Sequence, residues 1–214
     1  MQKKYPELNV PKPRGCMEKC LIQTLEALAH MSEIHDPYTA SHQKRVANLS
    51  MAIARGIGFK GRDILGIYLG AVIHDIGKIK VPAEILAYPG KLTREQFELI
   101  KKHPEDGYEI IKNIDFPWPI KDIVLLHHER LDGSGYPFGL KAKEIPVVTK
   151  IVSVADVVES MMSHRPYRPS LGVSKALDEI TRYRGSLFDS EVVDVCIDIY
   201  KKNRLRFLKI TKKT

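Results

Sequence analysis

The sequence predicts an all-α fold, one helical bundle of about seven to eight helices. Three observations predict it. Apolar residues recur at helical spacing from Met17 to about Leu205. No alternating strand pattern of useful length occurs except over 147–154, where the apolar run continues to Met162 and its length favours a buried helix. The 214 residues are 43% apolar and 28% charged, enough for one sizeable core.

The elements follow in order. Residues 1–14 carry Pro6, Pro11 and Pro13 among charges, a linker composition that would suit the output half of a longer protein. The folded domain is expected over 15–208, with a basic tail over 209–214. Leu21, Leu25, Leu28 and Ala29 make the first helical stripe, and Val46, Leu49, Ile53 and Ala54 mark a second helix over 39–55, which Gly56 and Gly58 should end. Residues 62–76 form a strongly apolar helix ending at Gly77, and 82–86 a short helical turn before Pro89-Gly90. Thr93 with Gln96 is a capping box that opens a helix to about Ile114, interrupted at His103-Pro104. A helix over 119–128 runs into the tight loop Asp132-Gly-Ser-Gly-Tyr-Pro137. Three more helices follow, over 146–162, 171–183 and 189–205.

Composition excludes several function classes. No apolar run is long enough to cross a bilayer, so an integral membrane protein is not expected, and the N-terminus has no apolar signal core. Cys16, Cys20 and Cys196 form no C-x-x-C pair, which argues against a disulfide framework or a thiolate metal site and for reduced thiols in a cytoplasmic protein. Cys16 and Cys20 lie four apart and read as packing residues on one helix face. Seven of the eight net positive charges fall in residues 201–214, so the basicity belongs to a tail and DNA or RNA binding is not expected.

The chemistry-bearing residues are histidines and aspartates. His74-Asp75 ends an apolar helix, where two polar groups are expensive to bury. A hydrogen-bonded Asp–His pair and a metal site explain that fragment equally well. His127-His128 favours the metal. Adjacent on a helix they diverge by about 100°, and so would serve two metals, or one metal and a substrate. Asp156 sits among Val154, Ala155, Val157 and Val158, where a surface carboxylate is out of place. His42 and His103 complete a set of seven candidates with His74, Asp75, His127, His128 and Asp156. Seven exceed what one metal with an open position uses, and suit two ions with a bridging carboxylate and water. Without cysteine the site takes hard-to-borderline cations: Fe or Mn foremost, with Zn, Ni or Mg also compatible. Lys78 falls on the same side as His74 and Asp75 if the helical turn continues, placed to neutralise a phosphate or protonate a leaving oxygen. Arg165 and Arg168 are candidate phosphate forks. His30, His35 and His164 are not expected to be ligands, although His35 should lie near the pocket.

These blocks resemble the HD-GYP family, a branch of the HD phosphohydrolase superfamily. The resemblance runs from about Asp36 to Asp189. It rests on Asp36-Pro-Tyr-Thr-Ala-Ser-His42 with Arg45-Val46, His74-Asp-Ile-Gly-Lys78, Lys102-His103-Pro104, His127-His-Glu-Arg-Leu-Asp-Gly-Ser-Gly-Tyr-Pro137, Val154-Ala-Asp156 and Arg165-Pro-Tyr-Arg168. It implies a helical bundle of the HD-domain type and hydrolysis of cyclic di-GMP to the linear dinucleotide pGpG, in some members onward to GMP. It also implies that the seven residues above are metal ligands with Asp75 bridging, and that Lys78 assists catalysis. Lys78, Arg165 and Arg168 would meet substrate phosphate. Tyr136 belongs to the signature loop, expected to close over the site and to present a surface to protein partners or an upstream sensor. A homodimer is compatible with this reading. Some members carry Glu where this chain has Tyr38, helping to hold a third metal, so two ions are expected here. Glu159 stands where Asp is usual, altering reach beside the site. The alternatives are a hydrolase of another cyclic dinucleotide, or a non-catalytic signalling module acting through the Gly-Tyr-Pro loop.

Overall fold

The structure, a computed structural model, describes residues 10–36, 42–164 and 169–211, with 203–211 described by backbone alone. The described residues are helical, with two isolated β-bridges, Asp132–Lys141 and Arg184–Phe188. The helices are α1 (Cys16–His35), α2 (His42–Ile57), α3 (Gly61–Ile73), α4 (Ala83–Leu86), α5 (Arg94–Ile100), α6 (His103–Ile111), α7 (Ile120–Leu126), α8 (Val147–Met162), α9 (Gly172–Arg182) and α10 (Ser190–Thr211). A 3-10 turn, Ile76–Lys80, follows α3. These ten segments exceed the expected seven to eight because the stretch from Thr93 divides into α5 and α6, and the single turn α4 stands alone.

The bundle is organised around α3. Every residue from Ile64 to Ile73 is buried, as an apolar helix without a polar face requires. α2 packs on α3 and α8, α7 on α3, and α9 and α10 close over α8 and α2. Glycines let helices approach. A Cβ at Gly70 would lie 2.5 Å from Ile123 Cδ1, and one at Gly66 2.4 Å from Trp118 Cγ, so α3 meets α7 and the segment before it at close range. The capping box forms as expected: Thr93 Oγ1 accepts from Gln96 N, and Gln96 Oε1 accepts from Thr93 N. Pro104, lacking an N–H, sits in the first turn of α6, where none is needed.

Four expectations are corrected. Gly56 does not end α2. It lies inside the helix against Val195, and the chain turns at Gly58 with φ 108°. The helix expected over 62–76 stops at Ile73, because Asp75 leaves helical geometry and the 3-10 turn begins. Cys16 and Cys20 are on α1 but exposed, whereas Leu25, Ala29 and Ser32 form its buried stripe; only Cys196 packs in the core. The last helix extends past Leu205 to Thr211. Tyr38, Arg165 and Arg168 lie outside the described residues. No helix among the described residues is long and apolar enough to cross a membrane.

Because Gly70 has no room for a side chain against α7, Gly70→Val should destabilise the protein by about 1–3 kcal/mol through overpacking. Chemical denaturation followed by circular dichroism measures this, and an unchanged midpoint would refute the close α3–α7 contact.

Candidate metal centre

The chain ends of four helices and the middle of a fifth converge on Asp75. His42 opens α2, His74 follows α3, His103 opens α6, His127 and His128 follow α7, and Asp156 lies inside α8. The seven residues fall into two groups that could each hold a metal ion: Asp75, His103, His127 and His128, and then His42, His74 and Asp156. Asp75 faces both. Its Oδ1 lies 3.2 Å from His103 Nε2 and 3.8 Å from His127 Nε2. Its Oδ2 lies 3.4 Å from His74 Nε2 and 4.0 Å from His42 Nε2. Asp156 Oδ1 completes the second group, 3.2 Å from His42 Nε2 and 3.8 Å from His74 Nε2.

The donor set fits cations. The buried Nε2 atoms of His42 and His74 make no hydrogen bond, which costs about 1–3 kcal/mol apiece unless something else meets them. The Nε2 atoms of His103 and His127 lie 3.2 Å apart. At most one can carry the proton of a mutual bond, whereas an ion can take both lone pairs. The opposite ring nitrogens set the tautomers. His74 Nδ1 donates to Ala71 O and His103 Nδ1 to Ile100 O, both at 2.7 Å, and His127 Nδ1 to Val124 O at 3.0 Å. His42 Nδ1 donates to the Glu159 carboxylate. Each bond places a proton on Nδ1, so the neutral ring turns an Nε2 lone pair inward.

Glu159 therefore reaches its partner despite the longer side chain. Arg45 and Ser163 also donate to it, Ser163 Oγ at 2.6 Å. Burial opposes its charge, but the bonds from His42 and Ser163 and the Arg45 cation prevail, and its carboxyl is held at about 2. Burial also opposes the charge of Asp75, yet Lys78 and His74 outweigh it and keep the carboxyl well below the ordinary range. Asp156 is likewise held low, against burial, by His42 and His74. Burial pushes His127 and His128 well below the ordinary imidazole range, so both rings are neutral near neutral pH. His74 goes the other way: burial lowers it, but Asp75 and then Asp156 raise it overall.

One glycine contact sets this geometry. A Cβ on Gly77 would lie 2.0 Å from His103 O and 2.4 Å from Gly107 N. Backbone meets backbone there, and the 3-10 turn seats against the start of α6. Lys78, on that turn, places Nζ 2.6 Å from Asp75 Oδ2. It faces the expected side, although the turn is 3-10. α1 buttresses the turn through His35, whose Nε2 donates to Val81 O at 2.7 Å.

The signature loop is tied to the site by residues whose roles the sequence reading left unassigned. Glu129, buried, accepts from Phe138 N at 2.7 Å and Leu140 N at 3.0 Å. Arg130 Nη1 donates to Glu129 O and Ser153 Oγ, both at 2.8 Å. Gly135 is needed because a Cβ there would sit 2.4 Å from Arg130 N. The loop lays the Tyr136 ring on His128, centroids 4.7 Å apart and 22° from parallel. The signal for Glu129 and Arg130 was their place inside the histidine–loop string. The divergence expected of His127 and His128 is not found. α7 ends at Leu126, and both rings, 4.2 Å apart, join one group. His30 is exposed beside Glu33 and outside both groups.

A family model described as HD domain matches residues 26–192. A cyclic di-GMP phosphodiesterase of Thermotoga maritima is 41% identical over 187 residues, 86% of this chain and 51% of that protein. The cyclic di-GMP phosphodiesterase response regulator RpfG of Xanthomonas campestris pv. campestris is 37% identical over 177 residues, 82% of this chain and 47% of that protein. The chain thus spans about half the length of these curated relatives. Among solved structures, Bd1817, a HDG"Y"P protein from Bdellovibrio bacteriovorus, has the same fold at TM-score 0.63 and 23% identity, covering 75% of this chain and 51% of that one.

Two outcomes are expected. Gly77→Ala should keep the helical circular-dichroism signal but weaken Mn(II) binding by about tenfold or more, since it moves His103 relative to Asp75; unaltered affinity would show that this contact does not place His103. Metal uptake by the chelated protein should release protons near neutral pH. A raised His74 pKa means that a proton occupies Nε2 at higher pH than usual and the metal must displace it, so affinity rises with pH. Calorimetry in buffers of different ionisation enthalpy reads this proton count, and a value of zero at and below neutral pH would contradict it.

Proposed function

The chain belongs to the HD-domain family and carries the Gly-Tyr-Pro signature of its HD-GYP branch, and on that premise we propose that it is a metal-dependent phosphodiesterase that hydrolyses cyclic di-GMP to pGpG. The observation that carries the proposal is the gathering of seven candidate ligands into two groups, with Asp75 a member of one and its second oxygen facing the other. We take two ions to be held, Fe or Mn foremost, with Zn, Ni and Mg compatible with the same donors. Bound there, a pair of divalent cations supplies Lewis acidity toward a phosphodiester and makes water nucleophilic near neutral pH.

The chain's own residues do the rest. Asp75 holds the two groups in register through its two oxygens. Lys78 lines the cleft in front of the site and is positioned beside Asp75 Oδ2. It can neutralise a phosphoryl oxygen and give a proton to the ribose oxygen that leaves as water adds to phosphorus. Tyr136, stacked on His128 and lining the same cleft, bounds the substrate on the loop side. Arg165 and Arg168 are proposed to grip substrate phosphate. The signature loop exposes Phe138 beside the site, which suits contact with a protein partner or an upstream sensor. The catalytic unit is taken as 15–208, acting in the cytoplasm.

Purified protein loaded anaerobically with Fe(II), and separately with Mn(II), should convert cyclic di-GMP to pGpG. Absence of product with both metals demonstrably bound would overturn the proposal. Asp75→Asn should lower kcat by about a thousandfold or more with loss of metal. Lys78→Ala should lower kcat by about 10²–10³-fold with metal content retained.

A further inference from the structure

The cleft in front of the metal centre is far larger than a single phosphodiester needs. Its volume is about 890 Å³, and the centre contributes only His103, His128 and Asp156 to its lining, with Lys78 and Asp36 beside them. Much of the remaining lining is a wall built by α4, α5 and the loop between them. This wall carries apolar side chains that the protein's core does not use. Ile85, Leu86, Leu92 and Phe97 line the cleft and are absent from the hydrophobic core, and neither α4 nor α5 has a buried residue. Phe97 is 46% exposed. The Lys101 ammonium lies over its ring at 5.3 Å and over the Tyr136 ring at 5.7 Å, which pins α5 to the signature loop across the cleft rim.

Two cations stand on the same wall. Lys91 and Arg94 line the cleft, are exposed, and make no ion pair with a described residue. Lys78, the third lining cation, is already engaged by Asp75. The wall therefore combines a half-exposed aromatic ring, partly exposed aliphatic side chains and two positive charges without an ion-pair partner among the described residues. A nucleotide unit matches that combination: a planar base that stacks on an aromatic ring, linked to a phosphate that seeks cations.

Building on the cyclic-dinucleotide reading above, we propose that the α4–α5 wall is a second nucleotide subsite, in which Phe97 stacks one purine base and Lys91 and Arg94 hold the phosphate that is not being cleaved. A cyclic dinucleotide carries two phosphates in one ring. While one lies at the metal centre, the other must find its cations elsewhere in the same cleft. Phe97, Lys91 and Arg94 are positioning residues: they hold the substrate and leave the reacting phosphate to the metal centre.

The test uses the full chain loaded with Mn(II) and cyclic di-GMP. KM and kcat are read where turnover occurs, and Kd by calorimetry where it does not. Phe97→Ala should raise KM, or Kd, about tenfold or more with kcat and metal content within about twofold of the parent, and Phe97→Trp should restore binding to within about threefold. The double change Lys91→Ala/Arg94→Ala should raise KM or Kd by a similar factor and flatten its dependence on salt. Unchanged binding in Phe97→Ala, loss of kcat at constant KM, or no rescue by Trp overturns the subsite. If the parent binds cyclic di-GMP through Phe97 yet forms no product, the phosphodiesterase reading falls and the subsite stands; if the parent neither binds nor cleaves it, both fall.

Discussion

Everything in this bundle answers to one buried carboxylate. Asp75 is 2% exposed, and a lone ionised carboxylate in such a place would carry a desolvation cost of several kcal/mol. The protein surrounds it with the Lys78 ammonium, four imidazoles within 4.0 Å, and room for cations on two sides. The elements that deliver those partners do so mostly from their ends. There the backbone can turn, and a side chain can point along the helix axis into the centre instead of sideways into the core. Asp156 is the exception, a mid-helix residue on α8 with an apolar neighbour on either side.

Rigidity comes from short local bonds. Three of the imidazoles are locked by carbonyls three residues earlier in their own chain segment, so the orientation of each ligand is set by the last turn that precedes it. His42, which opens α2, takes Glu159 from α8 instead. The extra methylene of Glu159 relative to aspartate is thus absorbed by a bond that also draws in Arg45 and Ser163 from both helices.

Much of this was legible in the residues. Periodicity located the long helices, the Thr93–Gln96 pair located a cap, and the histidines and aspartates singled out in the sequence are the seven side chains that the fold gathers into two groups. What could not be read was how the ends of helices behave. The apolar run of α3 offers no sign that helical geometry fails at Asp75, and the 3-10 turn that follows seats its Gly77 backbone against α6 in a contact remote in sequence. The same ignorance made His127 and His128 look divergent: the 100° rule holds inside a helix, and α7 stops one residue short of them. The exposure of Cys16 and Cys20 escaped for a related reason. α1 is covered on one side only, and the period alone does not say which of its stripes meets α3.

The α4–α5 wall has a consequence for how such a protein can change. Its side chains contribute nothing to the core, and it meets the candidate ligands through backbone, where the Ile100 carbonyl at the end of α5 accepts from His103. Replacing residues along this wall therefore leaves both folding and the reacting centre intact. A change of side chain there alters what the cleft admits without touching the seven residues gathered around Asp75.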